Sequence, residues 1–183
     1  MKNKYLITWP NDWLSLVSKD VDHLSRFQIE PITIEDIIKG MFEVMYANKG
    51  VGLSAIQIGV PLRIFVMDCS KDALQNVSNI QARPTVCINP VIEEFIGVPI
   101  ELQEGCLSFP GVIETVHRYP ELIFKCEDVN GITNRYQVAG IEAQCVAHEV
   151  EHLNGVTFAT NWGHVKQGIA KRKIKKALAA NEP

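Results

Sequence analysis

The stretch GIEAQCVAHEVEHLNG, residues 140–155, places two histidines four residues apart and a glutamate directly after the first. Its apolar residues recur at helical spacing, and Gly155 is a typical stop signal. Residues i and i+4 of a helix lie about 40° apart around its axis, so His148 and His152 can point at one metal ion. Glu149 lies about 100° round the axis and can reach a water bound to that ion. The stretch predicts a metal-binding helix, although isolated HExxH matches also occur by chance on solvated helices.

A catalytic metal site needs a third protein ligand and leaves its fourth position to water. In the HExxHxxGxxH pattern of one protease class that ligand is a third histidine, but Phe158 occupies its place here. Proteases with a downstream glutamate ligand also fit badly, because Glu182, near the end, is the only acid after Glu151. His164 lies beyond the helix stop, where we expect a surface or capping residue. The third ligand is therefore expected upstream.

The upstream candidate is Cys106, in the stretch QEGCLSFPG at residues 103–111. We expect a strand before this cysteine and a turn at Pro110-Gly111 after it, so the thiol can project from a strand end. A thiolate there completes a Cys/His/His set, although a single cysteine is more often a small buried side chain. The remaining cysteines are predicted to be buried in that way: Cys69, Cys87, Cys126 and Cys145.

The rest of the chain predicts helices and strands in an α+β arrangement. A helix is expected over residues 33–50, with Thr33 and Asp36 as a capping box and Gly50 as its stop. Residues 62–68 and 85–95 read as strands, and the proline in the second indicates an edge strand or a bend.

Two further elements are predicted towards the C-terminus. Residues 121–138 favour a β-hairpin, in which Asn130 and Gly131 supply the two positive-φ positions of a tight turn. Residues 163–183 predict a basic helix, in which the residues expected on the inner side are Val165, Ile169, Ile174 and Leu178.

Length, composition and charge limit the kind of protein. A chain of 183 residues with 46% hydrophobic content fits one domain over residues 1–183. No apolar run approaches the roughly 18 residues of a membrane span, and the N-terminus lacks the features of signal and transit peptides. Five cysteines without a CxxC pair suit a reducing compartment. We expect a cytoplasmic monomer with no membrane partner.

A third motif, GVGLSAIQIG at residues 50–59, follows the first predicted helix. Its glycines permit close backbone approach, and Gln57 offers an amide donor that suits an oxyanion. Together the stretches GVGLSAxQ, EGCLS and HExxH, in this order, resemble the three motifs of the peptide deformylase family. The similarity spans nearly the whole chain, including WPNDWL at residues 9–14. The resemblance implies an α+β fold in which antiparallel sheets wrap around the HExxH helix.

The resemblance also implies a role for each motif residue. The implied metal ligands are Cys106, His148 and His152. The implied ion is Fe²⁺, and Zn²⁺, Ni²⁺ or Co²⁺ can take its place. Three further residues are implied in the chemistry: Glu149 as general acid/base, with Gln57 and the backbone N–H of Leu107 stabilising the oxyanion. Gly52 is implied to contact the main chain of the substrate.

The family removes the N-formyl group from nascent polypeptides that begin with formyl-methionine, and it releases formate. Metal-bound hydroxide is expected to attack the formyl carbon while Glu149 takes the proton and later passes it to the amine. The methionine side chain needs a flexible apolar pocket, for which we expect Val51, Ile141 and Cys145, although plain core packing would explain the same residues. An HExxH metallopeptidase and a catalytically weak, deformylase-like binding protein remain alternatives.

The chain departs from the family pattern at three positions. Ala147 replaces a glutamine before the first histidine, Glu151 replaces an aspartate before the second, and Ile56 replaces a proline before Gln57. We expect Glu151 to rearrange any bond that the aspartate makes to the residues around the ligands.

Two expectations concern charged residues outside the motifs. Arg118 is a candidate partner for Glu104, although an arginine at such a position is more often a surface residue. The last 21 residues hold six Lys or Arg and one acid. The basic helix is therefore expected either to contact ribosomal RNA or to be merely solvated.

Overall fold

The computed structural model of this chain describes residues 5–22, 32–70 and 84–180. The α-helices in these residues are α1 (Ile34–Ala47), α2 (Ile141–Leu153) and α3 (His164–Ala180). The strands are β1 (Gly52–Ser54), β2 (Ile64–Met67), β3 (Thr85–Ile96), β4 (Ile100–Gly105), β5 (Ile113–Arg118), β6 (Glu121–Glu127) and β7 (Thr133–Ala139). None of the helices in the described part of the chain has the length and apolar content that a membrane crossing requires.

Five strands form an antiparallel sheet in the order β1-β2-β3-β6-β7, and β4 pairs with β5 in a separate hairpin. Side chains of β2 alternate between the two faces of the sheet. Phe65 and Met67 belong to the apolar cluster around α2, whereas Ile64 and Val66 pack in the cluster around α1. The α+β prediction with antiparallel sheets around the HExxH helix is confirmed.

Helix α1 begins as predicted and ends differently. The Thr33 hydroxyl accepts from the Asp36 N–H, and the Asp36 carboxylate accepts from the Thr33 N–H, both at 3.1 Å. At the other end Lys49, with φ 58°, takes the left-handed conformation that was expected of Gly50. A Cβ at Gly50 would lie 2.8 Å from Cδ1 of Leu107. The glycine is therefore needed for close approach to the strand-end loop, and not for the helix stop.

Strand β3 lies inside the sheet, between β2 and β6, so the prediction of an edge strand is wrong and that of a bend is correct. The pairing register with β6 shifts between Ile88 and Val91, around Pro90. Asn89 takes φ 51° there and exchanges two hydrogen bonds with the backbone of Val21, at 2.8 and 2.9 Å. Proline has no N–H to donate to a neighbouring strand, and a β-bulge accommodates it because the pairing between the strands is interrupted there.

The β6–β7 hairpin is present, but its two-residue turn is not. Register pairing from Glu127 to Thr133 leaves a five-residue loop, in which only Gly131 has a positive φ, of 82°. The carboxylate of Asp128 accepts from the N–H groups of Asn130 and Ile132, at 2.8 and 2.9 Å. This side chain fixes the longer loop, since an aspartate readily caps the backbone of a turn.

The inner side of α3 differs from the prediction. Val165 and Ile169 are 80% and 42% exposed, whereas Ala170 and Ile174 are buried and Leu178 is partly buried. The buried residues follow an i, i+4, i+8 row that packs on an aromatic cluster formed by Trp9, Phe109, Phe158 and Trp162. Val165 and Ile169, the two mispredicted residues, lie on the neighbouring i, i+4, i+8 row, which also carries the exposed Lys173.

Candidate metal centre

Three ligand side chains converge at the surface of α2. Cys106 directly follows β4, and His148 and His152 lie one turn apart on α2. Their ligand atoms all lie within 4.8 Å of one another, and Cys106 Sγ lies 3.2 Å from His152 Nε2. Among residues 5–22, 32–70 and 84–180 no other group of this kind is found. A thiolate with two imidazoles is a donor set for a transition metal rather than for calcium or magnesium.

A tight turn aims Cys106 at the helix. The N–H of Phe109 donates to the carbonyl of Cys106 at 2.9 Å, and the N–H of Val112 donates to the carbonyl of Phe109 at 3.0 Å. Phe109 is 1% exposed and anchors the turn in the aromatic cluster under α3. Phe158, which occupies the histidine place of the protease pattern, packs its ring against His148 with the centroids 5.4 Å apart.

The two histidines have different surroundings. Nδ1 of His148 lies 3.0 Å from the Glu104 carboxylate, so its other nitrogen is left for a metal. Burial opposes charge on His148, but Cys106 and Glu104 outweigh it and raise the pKa of His148. Burial and the charge of His148 lower the pKa of His152. Cys106 and Glu104 therefore favour a positive charge at the centre. His152 is neutral, which is the protonation state in which an imidazole binds a metal ion.

Glu149 is buried beside the ligands and is only partly satisfied. It is 3% exposed, and Oε2 has no hydrogen-bond partner in the described part of the chain. Burial raises the pKa of Glu149 to about 7, against the lowering effects of His148 and Ser54. An unpartnered oxygen beside three convergent ligand atoms fits a metal ion that carries a water, since that water would supply the missing donor. The residues present therefore fit one divalent ion.

Gly52 makes room for this glutamate. A Cβ at this position would lie 2.6 Å from Glu149 Oε1 and 2.6 Å from Cys145 Sγ. Side-chain substitution would therefore force the glutamate or the thiol to move.

Gln57 is held in one orientation by two serines. Its oxygen accepts from the Ser54 N–H at 2.9 Å and from the Ser54 hydroxyl at 3.0 Å. Its Nε2 donates to the Ser108 hydroxyl at 3.0 Å and lies 3.6 Å from Cys106 Sγ. The amide donor therefore faces the ligand set. Neither serine was predicted as part of the site, although Ser54 belongs to the GVGLSAxQ motif and Ser108 to the EGCLS motif, and these motifs were the available signal.

Arg118 is buried and binds two carboxylates, so the expectation of a Glu104–Arg118 pair holds and that of a surface arginine does not. Nε and Nη2 donate to Glu104 at 2.7 and 3.0 Å, and Nη1 and Nη2 donate to Glu151 at 2.5 and 2.8 Å. Burial alone would raise the pKa of Glu104, but hydrogen bonds from His148 and Arg118 outweigh it and lower this pKa to about 2. Glu151 therefore accepts from Arg118, which is connected to the ligand His148 through Glu104.

The ligand set opens into a cleft of about 870 Å³. The residues expected in the methionine pocket, Val51, Ile141 and Cys145, all line it, as do Gly52, Gln57 and Leu107. Both ends of the described chain also contribute, through Leu6 and Leu178. On the far side of α2 a second cavity, of about 440 Å³, is lined by Arg118, Ala147 and Glu151, among others.

Comparison with known proteins agrees with this geometry. The family model for polypeptide deformylase matches residues 4–167. The peptide deformylase of Hahella chejuensis is 36% identical over 176 residues, which is 96% of each chain. The crystal structure of peptide deformylase from Ehrlichia chaffeensis is similar, with a TM-score of 0.81 and 32% identity over 96% of this chain and 97% of that chain. The structure of the Ehrlichia enzyme in complex with actinonin is also similar, with a TM-score of 0.79 and 33% identity over 96% and 98% of the two chains.

The match to the family model, the full-length relative and the solved structures point to one group of enzymes, whose three-ligand centre has its counterpart in Cys106, His148 and His152. The chain belongs to the peptide deformylase family.

Proposed function

We propose that this chain removes the N-formyl group from the formyl-methionine of nascent polypeptides and releases formate. The observation that carries this proposal is the buried, unpartnered oxygen of Glu149 beside the three convergent ligand atoms, in a cleft open to a peptide. One buried base beside one metal position suits hydrolysis of an amide bond by an activated water molecule.

The residues of the chain divide the work of the reaction. Cys106, His148 and His152 would hold a divalent ion, which would lower the pKa of a water molecule and polarise the formyl group. Glu149, whose pKa of about 7 suits proton transfer near neutral pH, takes the proton of the attacking water and returns it to the departing amine. Gln57 Nε2 and the Leu107 N–H donate to the oxygen of the tetrahedral intermediate.

The substrate contacts follow from the lining of the cleft. Gly52 lies where its backbone can pair with the main chain of the formylated residue. The methionine side chain enters the space bordered by Val51, Ile141 and Cys145, which is apolar and adaptable.

The proposed ion is Fe²⁺, with Zn²⁺, Ni²⁺ or Co²⁺ as replacements. Thiolate and imidazole ligands accept all of these ions, and Cys106 becomes open to oxidation when the ion is lost. Metal analysis of protein purified without oxygen tests this assignment. Iron at about one equivalent supports it, and zinc alone under the same conditions would contradict it.

The reaction is tested with anaerobically prepared, iron-loaded protein and formyl-Met-Ala-Ser. We expect formate release, with a loss of about 10²- to 10⁴-fold in Glu149→Gln. Glu142→Gln is the matched control, because Glu142 lies on the same helix but outside the cleft. A blocked peptide without a formyl group should not be cleaved, since internal cleavage would indicate a metallopeptidase. No formate from any variant would leave only a binding protein.

Actinonin provides a test that does not depend on turnover. The Ehrlichia enzyme was crystallised in complex with it, and we propose that this chain binds it in the corresponding cleft. Saturating actinonin should then raise the melting temperature of the metal-loaded protein, because a ligand that binds only the folded state stabilises it. Gly52→Ala should weaken the effect.

We further propose that a monomer of this chain contacts ribosomal RNA through α3. Its exposed cations include Arg172, Lys173, Lys175 and Lys176, which suit phosphate groups. Deleting α3 would be a poor test, since Ile174 packs in the core. Salt-dependent co-sedimentation with ribosomes that is lost in Lys175→Glu/Lys176→Glu would support contact, and pelleting unaffected by salt and charge would contradict it.

A further inference from the structure

Lys49 is the feature of the cleft that neither the motifs nor the reaction explains. It lies in the loop between α1 and β1 and is one of the residues that line the cleft. Its backbone is fixed, because the Lys49 N–H donates to Tyr46 at 3.1 Å and the Gly50 N–H donates to Met45 at 2.9 Å. A non-glycine residue at φ 58° is uncommon, so the point from which this side chain projects is set by the helix end.

Lys49 carries the uncompensated charge of the cleft lining. The acids that line the cleft are Glu104, which is bound to Arg118, and Glu149, which is 3% exposed. Lys49 is exposed and forms no ion pair with the residues that the structure describes. Among residues 5–22, 32–70 and 84–180, the open part of the cleft therefore presents a cation without an acid to balance it.

The direction of a bound peptide follows from which end of the cleft is closed. The edge strand β1 begins at Gly52, beside Glu149, and an extended peptide can add to such an edge. A bound peptide cannot extend along the chain beyond Gly52, because Ser54 is fully buried and Gln57 is hydrogen-bonded to Ser108. Towards lower numbers the chain leads to the exposed Lys49. A peptide with its formyl group at the ligands must leave past this lysine.

We propose that Lys49 selects formylated peptides with an acidic side chain at about the third residue, an inference that rests on the proposed function. An extended peptide advances about 3.3 Å per residue, and Lys49 lies in the turn that leads into β1 at Gly52. The ammonium then meets the second or third residue after formyl-methionine in a solvated mouth, where a charge contact changes the rate modestly and is screened by salt.

The test uses formyl-Met-Ala-X-Ala-amide with X as Glu, Gln or Lys, so that no terminal carboxylate competes. Iron-loaded wild type should show kcat/KM in the order Glu, Gln, Lys, with about fivefold between the extremes at low salt and much less in 0.5 M salt. Lys49→Glu should reverse the order and Lys49→Gln should flatten it. Lys39→Glu, at an exposed lysine of α1 outside the cleft, should keep the wild-type order.

The outcomes separate the two proposals. No formate from the Gln peptide removes the proposed function and the role of Lys49 with it. Formate at equal rates from the three peptides leaves the function intact and overturns the role of Lys49. A wild-type preference that persists unchanged in Lys49→Glu also overturns it, because the charge would then come from another residue.

Discussion

Two buried glutamates flank His148, and their surroundings set them in opposite protonation states. Glu104, behind the histidine, is paired with Arg118 and has its pKa lowered to about 2. Glu149, in front of it, faces no described cation except His148, and burial raises its pKa to about 7. One buried glutamate is therefore a permanent anion and the other a proton carrier, because only Glu104 receives hydrogen bonds from His148 and Arg118. Four variants test this comparison.

The largest expected effect comes from Arg118→Met. It leaves Glu104 buried without its cation, and we expect the free energy of unfolding to fall by about 3–5 kcal/mol. Urea denaturation of metal-free protein measures this change. Arg135→Met is the matched control, because Arg135 pairs with Glu93 at an exposed position and should cost less than about 1 kcal/mol. Equal losses from the two variants would show that burial of the pair is unimportant.

A second variant, Glu149→Gln, tests the protonation of the front glutamate. A group whose pKa is raised on folding contributes stability below its unfolded pKa, near 4.5, and loses it as pH rises through about 7. Metal-free Glu149→Gln should therefore gain stability relative to wild type between pH 4.5 and 7, on the order of 3 kcal/mol in total. Unfolding measured across this range checks the slope, and a constant difference would contradict it.

Gly52→Ala should displace Glu149 without removing it. Because the new Cβ would lie 2.6 Å from the carboxylate and from Cys145, we expect kcat to fall by about 100-fold while metal content is kept. Gly168→Ala, where a Cβ would meet nothing within 4 Å, is the control. If activity in Gly52→Ala matches this control, the close approach is not needed for catalysis.

The smallest effect concerns the back of the site. Ala147 and Glu151 are one turn apart on α2 and line the same cavity, so the two departures from the family pattern are neighbours. Glu151→Asp alone should cost less than about 1 kcal/mol, since this side chain is 41% exposed. A double-mutant cycle with Ala147→Gln should show coupling, and additive effects would mean that the two positions changed independently.

Helices α2 and α3 show what could be predicted from the sequence. On α2 the spacing of His148 and His152 determines which side faces the metal, because only one helical face can present both rings. On α3 the charged residues leave several possible faces, and the choice depends on packing against Phe109, which is distant in sequence, and Trp162, just before the helix. The five-residue hairpin loop was missed for a local reason, since the side chain of Asp128, two residues before the Asn-Gly pair, caps the backbone of a longer turn.

Within the site, the ligands, Gln57 and the Glu104–Arg118 pair were predicted, but the other supports were not. Ser54, three residues before Gln57, and the distant Ser108 orient the glutamine, and Arg118 reaches across 33 residues to Glu151. The contacts of Ser108 and Glu151 depend on the packing of distant segments, which motif spacing does not encode. The single-domain, monomer and cytoplasmic predictions remain predictions.

The cleft takes side chains from both ends of the described chain, with Leu6 on one wall and Leu178 on another. During synthesis the motif segments up to residue 155 emerge before α3, and the turn after Cys106 then lacks the helix that packs on it. We expect the newly made enzyme to acquire a complete cleft only when residue 178 has left the ribosome. The cleft of a growing chain would thus stay incomplete until α3 had folded onto the turn after Cys106.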